Sequence, residues 1–369
     1  MIDFELTEEQ QMIRDSVGAF ASEQIRKAAR EADETGKIQA ELIAQAWQLG
    51  LTSGPLPEQY GGGGDTRSAI TGALIAEELG YGDISIGFHI LAPRLVAFPV
   101  AEMGTDEQKA RMLKQFSGAN FVAAAAAIIE PKFDFDLTAI QTTAKRDGVG
   151  WILNGVKCNV PLAAESDTLL VYAASDASKG FAGVDAFLVP RDTAGLKISE
   201  REKNMGLKGL ATHGVTLENC SVGALARLGG DKGINFSRLM SEARIAIAAF
   251  GVGLMRSAFD YARDYAKERK AFGVFIAQKQ AIAFILADMA IEIDAARLLV
   301  WEAASRLDKG EDALEESYLA KNYVAASALK VTDNAVQCLG GHGYVRDHPV
   351  EMWLRNARGL AAIDGIATV

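Results

Sequence analysis

The sequence predicts an α+β fold in three parts: an N-terminal helical domain over residues 1–119, a middle β domain (sheet or barrel) over 120–228 and a C-terminal helical bundle over 229–369. Three observations predict it. Helix-start signals and helical apolar spacing fill the first third. Short apolar runs of strand length crowd the middle, and long apolar stripes with a three-and-four-residue spacing return from about residue 234. A chain of 369 residues also exceeds what one compact core usually holds.

In the first part, Thr7-Glu8-Glu9-Gln10 forms a capping box, and Ile13, Val17, Phe20, Ala21 and Ile25 continue as a helical stripe. A second helix is expected from about Ala40 to Leu49, stopping at Gly50. The run from Pro55 to Gly64 carries two prolines and four consecutive glycines and reads as irregular. Further helices are expected over Thr66–Leu79 and Leu91–Met103, the latter kinked or split by Pro99. Gly104 to Lys109 is another helix start. In the middle, Trp151 to Lys157 reads as two strands meeting at an Asn154-Gly155 turn. Thr168–Tyr172, Ala186–Val189 and Val215–Cys220 are further strands. In the last part, Ile282, Ile285, Leu286, Met289, Ile293, Ala296 and Val300 make one stripe, the pattern of a packed bundle.

A net charge of −10 argues against a nucleic-acid partner. Three well-separated cysteines, Cys158, Cys220 and Cys338, argue against a disulfide framework and fit a reducing, cytoplasmic setting. The N-terminus lacks a basic segment followed by an apolar one, so no secretory signal is expected. No run reaches the roughly 18 uninterrupted apolar residues of a membrane span. Four histidines and three cysteines show no metal-ligand spacing, so no metal is expected.

Six motifs stand in order along the chain: Leu56-Pro57-Glu58-Gln59-Tyr60-Gly61-Gly62; Glu130-Pro131 with Asp136 beyond; Asn154-Gly155-Val156-Lys157; Met205-Gly206-Leu207-Lys208-Gly209; Arg269-Lys270-Ala271-Phe272-Gly273 with Gln280 beyond; and Gln337 to Tyr344. A lone carboxylate, Asp364, then precedes Gly365. Together these resemble the acyl-CoA dehydrogenase family, over essentially the whole chain. The resemblance implies a C-terminal four-helix bundle, an FAD cofactor, an acyl-CoA substrate and an electron-transfer flavoprotein or similar acceptor. It also implies a homo- or hetero-tetramer built as a dimer of dimers.

Asp364 stands where the family has a Glu that removes the α-proton of the thioester while flavin N5 takes the β-hydride. The acid here is one methylene shorter; relatives acting on alicyclic acyl-CoAs and nitroalkanes are similar in using Asp. Its plain alternative is a helix cap or a loop acid. Ala243 occupies the position where other members carry the base on a bundle helix; neighbouring Glu242 is read as solvent-facing or paired. By the same resemblance, Arg269, Phe272, Gln280, Gln337, Gly340 and Gly341 reach across a dimer interface to the FAD of the neighbouring subunit. The planar fork of Arg269 suits a pyrophosphate, although a helix-end salt bridge would explain it too, and Gly340-Gly341 also suits a helix C-cap. Phe135, Arg244 and Gly365 are assigned to the substrate.

At the flavin ring the chain departs from the family. Ile129, Asn159 and Pro161 take the ring positions; Ile129 has no hydroxyl, and Pro161 has neither hydroxyl nor N–H. Phe133 and Phe135 add bulk to a loop that is small and glycine-rich in relatives. Two functions stay open. One is an FAD-dependent acyl-CoA dehydrogenase acting on a thioester that could be cyclic, branched or a steroid side chain, with Asp364 as base. The other is a non-catalytic subunit that completes the cofactor site in a heterotetrameric enzyme.

Overall fold

The computed structural model describes residues 5–369. The first helix, α1 (Glu8–Phe20), starts at the expected box: Thr7 Oγ1 accepts the Gln10 N–H and Gln10 Oε1 accepts the Thr7 N–H, each at 3.1 Å. One widened turn (Ala21–Ile25) carries it into α2 (Arg26–Thr35). Val17, Ala21 and Ile25 are buried along this line. Next come α3 (Ala40–Gln48), a loop with one short 3₁₀ turn at Glu58–Tyr60, α4 (Ala69–Gly82), α5 (Ile84–Leu91), α6 (Arg94–Met103) and α7 (Asp106–Met112). The expected break at Pro99 falls instead at Pro93. Pro93 precedes α6 and has no N–H to continue α5, whereas Pro99 lies inside α6 with its ring buried and removes one helical bond without ending the helix.

The middle domain is a curled seven-stranded sheet: β1 (Ala125–Ala127), β2 (Thr143–Asp147), β3 (Gly150–Pro161), β4 (Thr168–Ala174), β5 (Val184–Pro190), β6 (Leu196–Arg201) and β7 (Thr212–Val222). Its order is β1-β4-β2-β3-β7-β6, with β5 also antiparallel to β4. Alternate residues of β4 bury on both faces: Leu170 and Tyr172 toward α6 and α7, Leu169, Val171 and Ala173 toward the interior of the sheet. The Asn154-Gly155 turn is not formed. Residues 150–161 are one strand, and the hairpin turns at Gly148-Val149, with Asp147 paired to Gly150 and Gly148 at φ +57°. That is the geometry of a two-residue loop with glycine first. Asn154 serves a bulge instead, its Oδ1 accepting the N–H of Asn219 at 2.8 Å across the sheet.

The C-terminal domain packs α8 (Phe236–Glu268), α9 (Gln280–Asp308), α10 (Leu314–Leu339) and α12 (Val350–Gly359). A small hairpin, β8 (Lys270–Ala271) and β9 (Val274–Phe275), separates α8 from α9, and a one-turn helix α11 (Gly341–Tyr344) follows α10. The N-terminal α4 lies against α8 so closely that a Cβ on Gly253 would stand 2.0 Å from Glu77 O. One core therefore runs through both helical domains. Ile84–Met103 and Phe236–Glu268 are apolar enough to cross a membrane by composition, but 89% and 78% of their most apolar windows are buried inside this fold, which accounts for that composition.

Candidate active site

Asp364 follows α12 in a turn pressed onto the segment after β1. Gly365 allows it: φ is +63°, and a Cβ there would stand 2.1 Å from Ile128 Cδ1. The Asp364 side chain is 14% exposed. Its Oδ1 accepts the Gly365 N–H at 3.0 Å, and its Oδ2 is bracketed by Arg244 Nε at 3.4 Å and Lys321 Nζ at 3.5 Å. Arg244 comes from α8 and Lys321 from α10. Tyr318, nearly one turn before Lys321, sets its ring 5.2 Å from the Arg244 guanidinium carbon, a cation–π contact. The acid is therefore neither a helix cap nor a solvated loop residue.

These groups wall a cleft of about 680 Å³ between the sheet and the bundle. Among the residues singled out from sequence, the cleft gathers Asp364, Arg244, Phe135, Ile129 and Asn159. Pro161 is buried away from it, and Gly365 is buried against Ile128. Phe133 does not fill the cavity; it stands fully in solvent at the rim. Ala243 is buried. Glu242 is buried as well as paired, at 2.6 Å from Arg67 and 3.0 Å from Arg238.

The cleft floor is held by a buried ion pair. Glu130 Oε1 accepts from Thr142 N at 2.7 Å, Thr142 Oγ1 at 2.6 Å and Lys157 Nζ at 3.0 Å, while Oε2 accepts from Gln141 N at 2.8 Å. Lys157 also donates to Ile128 O at 2.9 Å. Burial depresses Lys157 to about 8, with Glu130 opposing the shift. For Glu130, burial pushes upward, but Lys157 and the hydrogen bonds outweigh it and hold the carboxyl below its ordinary value. Asn159 sits in a bulge of β3 at φ +53°, and its N–H is taken by Glu202, both oxygens at 3.2 Å. Cys158 lines the cleft, but burial, then Glu202, push its thiol up to about 11, so it stays protonated near neutrality. Asp136 caps the next turn, accepting from Thr138 N at 2.7 Å.

Arg269, Phe272, Gln280, Gln337, Gly340 and Gly341 lie outside the cleft, all on exposed backbone. The side chains of Arg269, Gln280 and Gln337 make no hydrogen bond or ion pair among the described residues, so the helix-end salt bridge considered for Arg269 does not form. Phe272 is 96% exposed at φ +56°, a conformation that bulky residues rarely hold. Gly340 ends α10 at φ +58°, and a Cβ on it or on Gly341 would meet nothing.

Sequence reasoning missed Lys321, Tyr318 and Glu202. Lys321 and Tyr318 share a helix face at i and i+3, but nothing marks that face as facing an acid on another segment. The Glu130–Lys157 pair joins two of the six motifs, so its members were noted without their contact.

Three family models match the chain: the acyl-CoA dehydrogenase N-terminal domain over residues 7–119, the middle domain over 125–220 and the C-terminal domain over 232–369. The 3-(aryl)acrylate reductase of Clostridium sporogenes is 36% identical over 98% of this chain and 96% of its own length. The cyclohex-1-ene-1-carbonyl-CoA dehydrogenase of Geobacter metallireducens is 36% identical over 96% of this chain and 93% of its own. Among solved structures, PigA with FAD and proline superposes with a TM-score of 0.89 at 27% identity, covering 100% of this chain and 96% of that one. With three matched domains in order over nearly its whole length, the chain belongs to the acyl-CoA dehydrogenase family.

Proposed function

We propose that the chain is an FAD-dependent oxidoreductase that dehydrogenates an acyl-CoA between its α and β carbons, with Asp364 as base. The observation that carries this is the semi-buried Asp364 carboxylate on the wall of an open cleft. The residues present fit FAD, divided between two places. The cleft has apolar walls at Ile129 and Phe135 and an amide at Asn159 for the ring. The exposed set around Arg269 offers a planar cation with no ion-pair partner among the described residues for a pyrophosphate, and open space above Gly340 and Gly341. Bound FAD supplies the acceptor for the β-hydride.

The chain's own residues do the rest. Asp364 takes the α-proton; Arg244 and Lys321 hold the carboxylate toward the cleft; Tyr318 steadies Arg244. Phe135, Leu137 and Ile363 restrict water at the thioester, and the Glu130–Lys157 pair keeps the floor in place. A cyclic or branched acyl group is the substrate class we favour, since an acid one methylene short suits a substrate whose α-carbon is carried nearer the wall. A relative named for cyclohex-1-ene-1-carbonyl-CoA supports that choice. We place the enzyme in the cytoplasm, where its three free cysteines stay reduced. Its electrons pass to an electron-transfer flavoprotein or a similar acceptor.

The exposed set around Arg269 supports a dimer of dimers in which each subunit completes its neighbour's cofactor site. One observation favours the second reading, a cofactor-completing subunit of a heteromer: the Asn159 N–H is spent on Glu202, Ile129 brings no hydroxyl, and Pro161 is off the cleft. The flavin-to-protein ratio of the purified chain separates the two. One FAD per chain supports the first; a colourless protein that turns yellow only with a paralogous partner supports the second. Asp364→Asn should keep flavin and lose turnover about 100-fold or more; unchanged turnover removes the base.

A further inference from the structure

We propose that Lys321 is a positioning residue for the base, fixing the direction in which Asp364 presents its carboxylate to the cleft. This rests on the assignment of Asp364 above. Only two cations reach Asp364 among the described residues, and both reach the same oxygen: Arg244 Nε at 3.4 Å and Lys321 Nζ at 3.5 Å of Oδ2. They arrive from different helices, so together they define a direction that neither defines alone. Both contacts exceed the ~2.7–2.9 Å of a tight charged hydrogen bond. The carboxylate is oriented yet free to lean toward a proton. Arg244 is already committed to the Tyr318 ring, whereas Asp364 is the ion-pair partner of Lys321. Lys321 is 11% exposed, so water screens its charge poorly.

The placement along α10 adds a second consequence. Lys321 and Gln337 are sixteen residues apart on one unbroken helix, about 24 Å at the rise of an α-helix. The helix that holds the base therefore also carries the exposed turn at Gln337 to Gly341.

The test uses the flavin-loaded full chain with an acyl-CoA that it turns over, comparing Lys321→Met, Lys321→Arg, Asp364→Asn and the Lys321→Met/Asp364→Asn double variant. Lys321→Met should lower kcat roughly 10- to 100-fold with KM within about twofold, the signature of a misdirected base and not of lost substrate binding. Lys321→Arg should recover most of that loss. Urea midpoints give a reading independent of turnover: Lys321→Met should lower the midpoint in the wild-type background and leave it unchanged in the Asp364→Asn background. An equal drop in both backgrounds, or a KM that rises with kcat unchanged, overturns the proposal. Wild-type turnover in Asp364→Asn would instead overturn the base assignment, and the urea cycle would still report whether Lys321 and Asp364 interact.

Discussion

The inner cleft and the outer turn region solve opposite problems. Around Asp364 the charged groups have partners within the same chain, Asp364 with Arg244 and Lys321 and Glu130 with Lys157, and the Asn159 N–H donates to Glu202. Around Arg269, Phe272, Gln280 and Gln337 the side chains stand in solvent, and those of the three polar residues have no hydrogen-bond or ion-pair partner among the described residues. A self-satisfied site keeps its shape alone, whereas an unsatisfied one, with a phenylalanine held in a left-handed turn, gains by meeting something else. The contrast teaches that the cleft, with Ile129 on its wall and Pro161 buried away from it, is held by contacts made within this chain, whereas the outer set is not.

The sharpest way to break that contrast is to remove the carboxylate under the cleft. Glu130→Gln leaves the Lys157 ammonium buried against an amide and should cost about 3 kcal/mol in urea unfolding. The pH dependence follows from Lys157, whose folded value is about 8 against an ordinary 10.5. Between those values the unfolded chain holds a proton that the folded chain has released, so this lysine makes stability rise with pH across that window. The rise is about 3 kcal/mol over the full span. Lys157→Met should remove it, read as the change in urea midpoint between pH 8 and 10 relative to wild type. Glu130 acts at the other end: with its carboxyl held below the ordinary value, its stabilisation is present above that value and is lost on acidification through the folded one.

Next in size is Gly365→Ala. The left-handed backbone and the Ile128 methyl 2.1 Å from the new Cβ should together cost about 2 kcal/mol or more. Turnover should fall with it, because Asp364 is the preceding residue. A variant of wild-type stability and rate would show that the turn carrying Asp364 is plastic and that the cleft is not preorganised.

The outer region predicts a different readout. Phe284, Ile291 and Leu298 are 60%, 65% and 49% exposed and recur every seven residues along α9. Phe284→Glu with Ile291→Glu should change the stability of the folded subunit by no more than about 0.5 kcal/mol per site. If this stripe is where subunits meet, the mass by light scattering should drop to that of a smaller assembly and bound flavin should fall with it. An unchanged mass would place the assembly surface elsewhere.

Much of this molecule could be read from its residues. The Thr7 box marked a helix start because both partners lie within four residues of each other, and the start signal at Gly104 to Lys109 proves to be a second such box, Thr105 with Gln108. The acid at 364 stood out because glycine follows it near the end of a motif series. What could not be read depended on distant partners. Asn154-Gly155 has the composition of a turn, yet Asn219 on β7 holds it inside a strand, and the turn fell to Gly148. Lys321 is an ordinary helix lysine until α10 lies beside the C-terminal turn. Phe133 and Phe135 look equivalent in sequence, but the reversal in which the Phe135 N–H reaches Lys132 O at 3.2 Å sends one into solvent and the other to the cleft wall.

That last pair gives the smallest expected effect and the finest test of the contrast. Phe133 is fully exposed at the cleft rim, beside a Lys132–Asp134 pair that is itself open to solvent. Phe133→Ser should leave urea midpoint, flavin content and turnover unchanged within error, since no buried surface is lost. Phe135→Ser removes part of the cleft wall and should weaken flavin retention. If Phe133→Ser also weakens it, by twofold or more, the side chain folds over the bound ring. The rim loop would then belong with the outer region, as a part that finds its contacts only once the cofactor or a second subunit is in place.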